Sequence, residues 1–299
     1  MRDLVGYGRN RPDPQWPGGA RLAVNITLAV EEGAEDSVED GFDRSEAPLT
    51  DVDGMGADVP GRDLTAESMM AYGSRVGFWR LQRLLEERGL PATIAACAVA
   101  LEYNPQIAVH ALFAGYDLLG HGYRYTKHYL LDEEEERAHL KLALASFKSI
   151  WGAEPDGWYC RYGPSEVTRA LLVEHGFLYD SDAYDDELPY WSPVGGRKHL
   201  VIPNTGAAND DKFSKGWWAT GDDLFTTLKD TFDVLYAEGE RSPGMMTVIL
   251  HPRVSGHAGR SAGVARFLDY ARGHDAVWWA RRSDIARHWY ENFPPEIAR

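Results

Sequence analysis

The chain has 299 residues, 44% of them hydrophobic and 26% charged, which is the composition of a globular protein with a sizeable core. Its longest uninterrupted apolar run, residues 94–101, is too short to cross a bilayer, and no apolar stretch follows the first residues. We therefore expect no membrane association and a cytoplasmic location. The formal net charge of −15 repels phosphate backbones and excludes nucleic acid as an expected partner.

The predicted elements alternate between strands and helices along the chain. An apolar run over 21–30 follows the breaker Pro17-Gly18-Gly19 and predicts a buried strand. From Glu31 to about Thr65 the chain is rich in Gly, Pro, Asp and Glu and predicts a long acidic loop. Beyond it, periodicity and turn residues predict strands at 92–99, 116–121, 157–160, 177–180, 199–203, 245–250 and 277–280. They also predict one helix that ends near residue 88 and further helices at 101–114, 133–151, 164–175, 222–238, 261–272 and 283–292.

This alternation, repeated about eight times with short connections, indicates parallel strands joined by helical crossovers. The sheet is either open or closed as a barrel, and we favour an α/β fold with a (β/α) barrel, in a single domain over residues 1–299. An N-terminal arm (1–20) and the acidic loop (33–66) lie outside the repeat. Because the loop has few apolar residues to fold against, we expect it to cover the site or to contact another subunit of a homo-oligomer.

Polar residues directly follow four of the predicted strands. Glu31 and Glu32 follow the first strand, His121 follows the third, Arg161 the fourth, and His251 comes after the apolar run 245–250. Taken alone, Glu31 and Glu32 are more typical of the start of an acidic loop, and His121 or His251 is more typical of a hydrogen-bonded histidine near a strand end. In a parallel barrel, however, the carboxyl ends of the strands meet at one rim, where active sites lie.

Together these residues predict a hydrolytic site. A carboxylate can deprotonate water, an imidazolium can protonate a leaving nitrogen, and an arginine or a metal can stabilise the oxyanion or orient the base. Two other signals are weaker. Cys160 beside Arg161 is more typical of an inert buried thiol than of a nucleophile. Ser261, in a G-x-S-x-G pattern, lies too far from a strand for a nucleophile elbow and predicts a helix cap.

Twelve segments carry a resemblance to a known family. They include VEEGAE at 30–35, HGYR at 121–124 and the eight residues 184–191, and the others are residues 3–8, 16–18, 72–77, 157–159, 179–182, 199–203, 236–239, 250–251 and 284–289. These segments resemble the polysaccharide deacetylase (NodB-homology) family, and within it the branch of cofactor-independent allantoinases that hydrolyse a ureide ring. The resemblance runs nearly end to end and implies a distorted (β/α) barrel of the NodB type.

The resemblance implies a role for each residue at the strand ends. Glu31 matches the catalytic base and Glu32 the metal-binding carboxylate of the first motif, each one methylene longer than the family's aspartate. Arg161 matches the arginine that orients the base, and His251 matches the acid. For the substrate pocket the resemblance implies a set of contacts that comprises Glu32, His121, Tyr125, Asp182, Asp185, Tyr190 and Trp191.

The resemblance also bears on the cofactor. His121 matches the first of two metal-binding histidines four positions apart, but Tyr125 stands at the second position. Glu32 and His121 fall short of the three protein ligands of a catalytic zinc site unless His128 completes the set. The allantoinase-like branch shows the same loss. We therefore expect either no required cofactor or a weakly held divalent metal, Zn²⁺ if any.

These inferences predict a hydrolase acting on a non-peptide C–N bond of a small molecule, a cyclic amide or ureide such as allantoin. One alternative is metal-dependent N-deacetylation of an amino sugar or polysaccharide. A second is a non-catalytic binding module that has kept the fold. The segment 204–210 departs most from the ureide-hydrolysing pattern, so the substrate's identity stays open.

Overall fold

The computed structural model describes residues 3–51 and 59–295, and within them one mixed sheet dominates the molecule. Its nine strands in these two ranges are β1 (Leu22–Val30), β2 (Thr93–Ala96), β3 (Asp117–Gly120), β4 (Gly157–Trp158), β5 (Tyr179–Asp180), β6 (Tyr190–Val194), β7 (Arg197–Val201), β8 (Gly244–Leu250) and β9 (Val277–Trp279). The order across the sheet is β6-β7-β5-β4-β3-β2-β1-β8, with β9 paired to the first half of β1. Every pairing is parallel except that of β6 with β7.

The sheet curls into a half-barrel, as the predicted distorted barrel requires. Strand β8 pairs with β1 over seven residues, from Leu22 opposite Gly244 to Leu28 opposite Leu250. On its other side β8 meets the irregular chain after β7, through a parallel bridge between Asn209 and Ile249. This segment closes the curl without forming a strand, so the carboxyl ends of the strands face one rim.

Helices cover the outside of the sheet. Their bounds are α1 (Leu64–Tyr72), α2 (Phe78–Glu86), α3 (Ala98–Tyr103), α4 (Pro105–Phe113), α5 (Glu133–Ile150), α6 (Thr168–Glu174), α7 (Gly221–Glu238), α8 (Pro252–Ser255), α9 (Ala258–Arg272) and α10 (Arg282–Asn292). One π-helical turn, Gly73–Gly77, joins α1 to α2. In the two described ranges no helix has both the length and the apolar character needed to span a membrane.

The structure adds the short helix α8 to the predicted elements and differs from the prediction at three others. The run predicted as a strand over 92–99 ends at Ala96, and α3 begins at Ala98, because a short apolar run rich in alanine suits a buried helix as well as a strand. The helix predicted over 101–114 is two helices divided at Asn104, since Pro105 cannot donate to a preceding turn. Strand β6 was not predicted, because it pairs antiparallel outside the alternating repeat.

His128, considered above as a third metal ligand, is buried in the core. Its ring packs edge-on against His139 and Trp158, and within the described chain neither ring nitrogen makes a hydrogen bond of ordinary geometry. Burial, reinforced by the charges of His139 and His121, lowers the pKa of His128 to about 3, and an interaction with the Thr126 backbone opposes this only in part. The side chain is therefore a neutral core imidazole.

His128→Leu is expected to make the protein less sensitive to acid. The pKa of His128 lies lower in the folded state than its ordinary 6.5, so the unfolded state takes up the proton first as the pH falls. That linkage costs up to about 1.4 kcal/mol of stability per pH unit below 6.5. Denaturant unfolding at pH 7, 5 and 4 should show that the free energy of unfolding of the variant rises relative to that of the wild type at each lower pH. The exposed His110→Leu is the control, and parallel curves for His128→Leu and wild type would contradict the prediction.

Candidate functional site

Three of the predicted residues meet at the rim where the strands end. Glu31 follows β1, His121 follows β3 and His251 follows β8, and these residues are 1%, 2% and 4% exposed respectively. Glu31 Oε1 lies 3.0 Å from His121 Nε2 and 3.5 Å from His251 Nε2. One carboxylate oxygen therefore faces two imidazoles in a nearly closed space.

The other oxygen of Glu31 binds an arginine that the sequence analysis did not single out. Arg253 Nη2 donates to Glu31 Oε2 at 2.5 Å. Burial opposes ionisation of Glu31, but the charges of Arg253 and His251 and the hydrogen bond from His121 hold its pKa well below the ordinary value. Glu31 is thus a carboxylate over the whole physiological range of pH.

His251 is held by a second carboxylate, Asp210. Asp210 Oδ1 accepts a hydrogen bond from His251 Nδ1 at 2.5 Å, and its Oδ2 accepts one from the His251 backbone N–H at 2.9 Å. Burial favours the neutral imidazole, but Glu31 and Asp210 overcome it and raise the pKa of His251 to about 10. His251 is therefore an imidazolium with a proton to donate. The sequence analysis did not single out Asp210 as a partner of His251. The one signal in the sequence was that Asp210 belongs to the segment 204–210, which departs most from the ureide-hydrolysing pattern.

Arg161 does not make the direct contact with the base that the resemblance implied. Its Nη1 and Nη2 donate to the two Glu46 oxygens at 2.9 and 2.6 Å, and Nη1 also donates to the Tyr125 carbonyl at 2.7 Å. Its guanidinium lies 4.2 Å from the centre of the Tyr125 ring. The arginine bonded to Glu31 is Arg253, which comes two residues after His251, so any effect of Arg161 on the base acts through space.

His121 and Tyr125 complete one wall of the cluster. The Tyr159 carbonyl accepts a hydrogen bond from His121 Nδ1 at 2.5 Å, and the Tyr159 ring stacks on the imidazole at 4.9 Å. This contact fixes the orientation of the ring and points Nε2 at Glu31. The buried Tyr125 ring lies 5.6 Å from that of His121, so the residue at the family's second histidine position does reach the site.

The described part of the acidic loop lies across this cluster. Glu46 binds Arg161, and the Pro48 carbonyl accepts a hydrogen bond from Arg253 Nε at 3.1 Å. Residues 52–58 lie outside the described residues. The loop therefore contacts the chain's own barrel at two arginines beside the base.

Asp182 is placed beyond Tyr159. Its Oδ1 accepts a hydrogen bond from the Cys160 backbone N–H at 2.8 Å, and Oδ2 has no hydrogen-bond partner in the described residues. Burial and then the charge of Asp180 raise the pKa of Asp182 to about 7. Burial also raises the pKa of the Cys160 thiol well above its ordinary value, as expected for an inert cysteine.

Asp185 and Trp191 lie away from the Glu31 cluster. Both line a cavity of about 800 Å³ between the N-terminal arm and the segment before β6, together with Tyr7, Arg11 and Tyr184. Tyr184 links this cavity to the site, because its hydroxyl is 2.9 Å from that of Tyr159. A substrate contact by Asp185 or Trp191 stays a prediction.

Comparisons with known proteins agree with this architecture. A candidate polysaccharide deacetylase of Schizosaccharomyces pombe is 31% identical over 316 residues, covering 98% of each chain. The chain belongs to the polysaccharide deacetylase family. A peptidoglycan deacetylase of Helicobacter pylori is 23% identical and covers 75% of this deacetylase-family chain and 87% of its own. No family model matches.

Solved structures give the same result. The crystal structure of a probable polysaccharide deacetylase from Pseudomonas aeruginosa has a TM-score of 0.94 at 43% identity and covers 99% of both chains. That of Puue allantoinase has a TM-score of 0.94 at 43% identity and covers 98% of both. This deacetylase-family protein is a hydrolase of carbon–nitrogen bonds other than peptide bonds, so the non-catalytic binding module is set aside.

In this family member Glu32 is packed against a glycine. Its Oε2 accepts a hydrogen bond from the Glu31 N–H and its Oε1 one from the Arg253 N–H, each at 3.2 Å. A Cβ on Gly73, in the π-helical turn, would overlap Glu32 Oε1 and come within 2.8 Å of the Arg253 nitrogen. Only glycine allows the turn to approach this pair so closely.

Gly73→Ala is expected to abolish most activity without unfolding the protein. The added methyl must displace Glu32 or Arg253, and a misplacement of about 1 Å in such a site can cost about 10²-fold in rate. Gly259→Ala in α9 is the matched control, because a Cβ there meets no atom within 4 Å. Turnover and thermal unfolding should be measured for both variants. Equal activity in Gly73→Ala and Gly259→Ala would show that activity does not depend on the exact position of the Glu32 side chain.

Proposed function

We propose that this protein hydrolyses an amide C–N bond in a small cyclic amide or ureide such as allantoin. The observation that carries the proposal is the enclosure of the reactive cluster. Glu31, His121 and His251 are all buried, and Glu46 and Pro48 of the acidic loop bind the arginines beside them. Among the described residues, burial of this cluster suits a small ring better than a polymer chain.

In this proposal Glu31 and His251 act as base and acid. Glu31 accepts a proton from a water that attacks the carbonyl carbon, and the His251 imidazolium protonates the nitrogen as the C–N bond breaks. The proton held by Glu31 then passes to His251 across their 3.5 Å contact, which restores the starting state. Water thus supplies its hydroxyl to the carbon and its proton to the nitrogen. Arg161 is bonded to Glu46 and to the Tyr125 carbonyl, so in this scheme it acts on the base only through space.

Similarity supports both this reading and its alternative. Puue allantoinase and the probable Pseudomonas aeruginosa deacetylase match the chain at the same identity and TM-score. The names of the fungal and Helicobacter pylori relatives favour N-deacetylation of an amino sugar or polysaccharide. The enclosure of the cluster is the feature that favours a small ring over a polymer.

The products distinguish the two candidates. Opening a cyclic ureide creates a new carboxylate and no acetate, whereas deacetylation releases acetate. We expect proton release from allantoin, hydantoin or a related ring and no acetate from N-acetylglucosamine oligomers, with Glu31→Gln protein as the check for contaminating enzymes. Acetate release from the oligomers, with every ring compound left intact, would reverse the ranking.

A further inference from the structure

Two neighbouring carboxylates are buried at the site and need a compensating positive charge. Glu31 and Glu32 are 1% and 3% exposed, and their backbones are adjacent. A buried ionised carboxylate is tolerated only when it is paired and hydrogen-bonded. In metal-dependent hydrolases a divalent cation supplies this charge.

Arg253 already supplies positive charge to both carboxylates. Its side chain is fully buried, its Nη2 donates to Glu31 Oε2 at 2.5 Å and its Nη1 lies 3.6 Å from Glu32 Oε1. The Pro48 carbonyl holds Nε from the other side at 3.1 Å. A guanidinium is always charged and presents a planar fork of donors, so it suits a fixed position between two carboxylates.

The candidate metal ligands do not fit a metal centre as they are placed. Both Glu32 oxygens accept backbone N–H groups, and His121 Nε2 is turned to Glu31. The Tyr125 ring faces two guanidinium groups, at 4.2 Å from Arg161 and 5.7 Å from Arg253. Over residues 3–51 and 59–295, no three His, Cys, Asp or Glu side chains are grouped so as to hold a metal ion.

We propose that the Arg253 guanidinium takes the place of a divalent cation at the Glu31–Glu32 pair and is the residue that positions Glu31 for the attack on water. The inference rests on the proposed function for the identity of the base. It goes further in making the reaction depend on a side chain of the protein itself. Arg253 is a positioning residue, because its contacts are with the base and not with the reacting atoms.

The first test compares Arg253→Met and Arg253→Lys with Arg266→Met, in which a half-exposed arginine that pairs with Asp222 at the surface is replaced. Arg253→Met should lower kcat by about 10²-fold with KM changed little, as expected for a contact that acts on the base alone. Arg253→Lys should lose less, because it keeps the charge but not the fork. Arg266→Met should match the wild type.

Chemical rescue shows whether the missing group is the guanidinium. Methylguanidinium should restore part of the kcat of Arg253→Ala, and ethylammonium should restore less. Wild-type activity should survive dialysis against a chelator. The proposal is overturned if Arg253→Met keeps the wild-type kcat, or if chelation abolishes wild-type activity and zinc restores it.

A stability measurement keeps the inference testable if the wild type hydrolyses none of the compounds. Without a positive charge at position 253 the two buried carboxylates repel each other, so Glu31→Gln should raise the melting temperature in the Arg253→Met background. In the wild-type background the same change removes an ion pair and should lower it. If Glu31→Gln lowers the melting temperature equally in both backgrounds, Arg253 is not the counter-charge, whatever the substrate.

Discussion

Glu31→Gln is expected to lower turnover by about 10²–10⁴-fold while KM changes little. The amide keeps the shape of the carboxylate and its one oxygen can still accept from Arg253, but it cannot take a proton from water. In the folded protein Arg253, His251 and His121 keep the wild-type group ionised. Steady-state kinetics on the substrate found in the screen measures the effect. Glu240→Gln, at an exposed pair with Arg21, is the matched control.

A second variant tests whether Glu31 and His251 serve one reaction. His251→Ala should cost a similar factor, and the double variant should lose far less than the product of the two losses, because base and acid act on the same water attack and nitrogen departure. Retention of most activity in Glu31→Gln would contradict the proposed mechanism. The base would then have to be Glu32 or a metal-bound hydroxide.

Asp210→Asn is expected to shift the basic limb of the kcat/KM profile to lower pH by about 1–3 units. The acid must carry its proton, and Asp210 together with Glu31 holds the pKa of His251 at about 10, so wild-type activity should persist until the pH approaches that value. Loss of the Asp210 charge lowers the pKa of His251, so the imidazolium loses its proton at a lower pH. The acidic limb, set by Glu31, should stay below the ordinary carboxylate range.

The measurement is kcat/KM from pH 5 to 10.5, because this ratio reports the free enzyme. Asp222→Asn, at an exposed carboxylate, should reproduce the wild-type profile. A basic limb that stays in place in Asp210→Asn would assign the acid to another group. A uniform loss at every pH would mean that Asp210 only orients the imidazole.

The sequence determined the strand ends that carry the reactive groups. Apolar runs followed at once by Glu31, His121 and His251 are local features, and the rule that parallel strands end at one rim brings those residues together. The acidic loop was equally evident from its composition. The alternation of strands and helices predicted a barrel and the resemblance to the deacetylase family predicted its distorted type, which the similarity to a solved structure confirmed.

The tertiary structure decided which partners those groups have. Arg161 and Arg253 both follow strands, and nothing local indicates that Arg253 binds Glu31, 222 positions away, while Arg161 binds the loop. That choice depends on how closely the π-helical turn approaches α8, where a Cβ on Gly77 would collide with the Pro252 carbonyl. The contact of Asp210 with His251 likewise depends on the irregular segment that closes the half-barrel beside β8. Hydrogen bonds between residues so distant in sequence depend on how the elements pack together, and these individual contacts leave no periodic signal in the sequence.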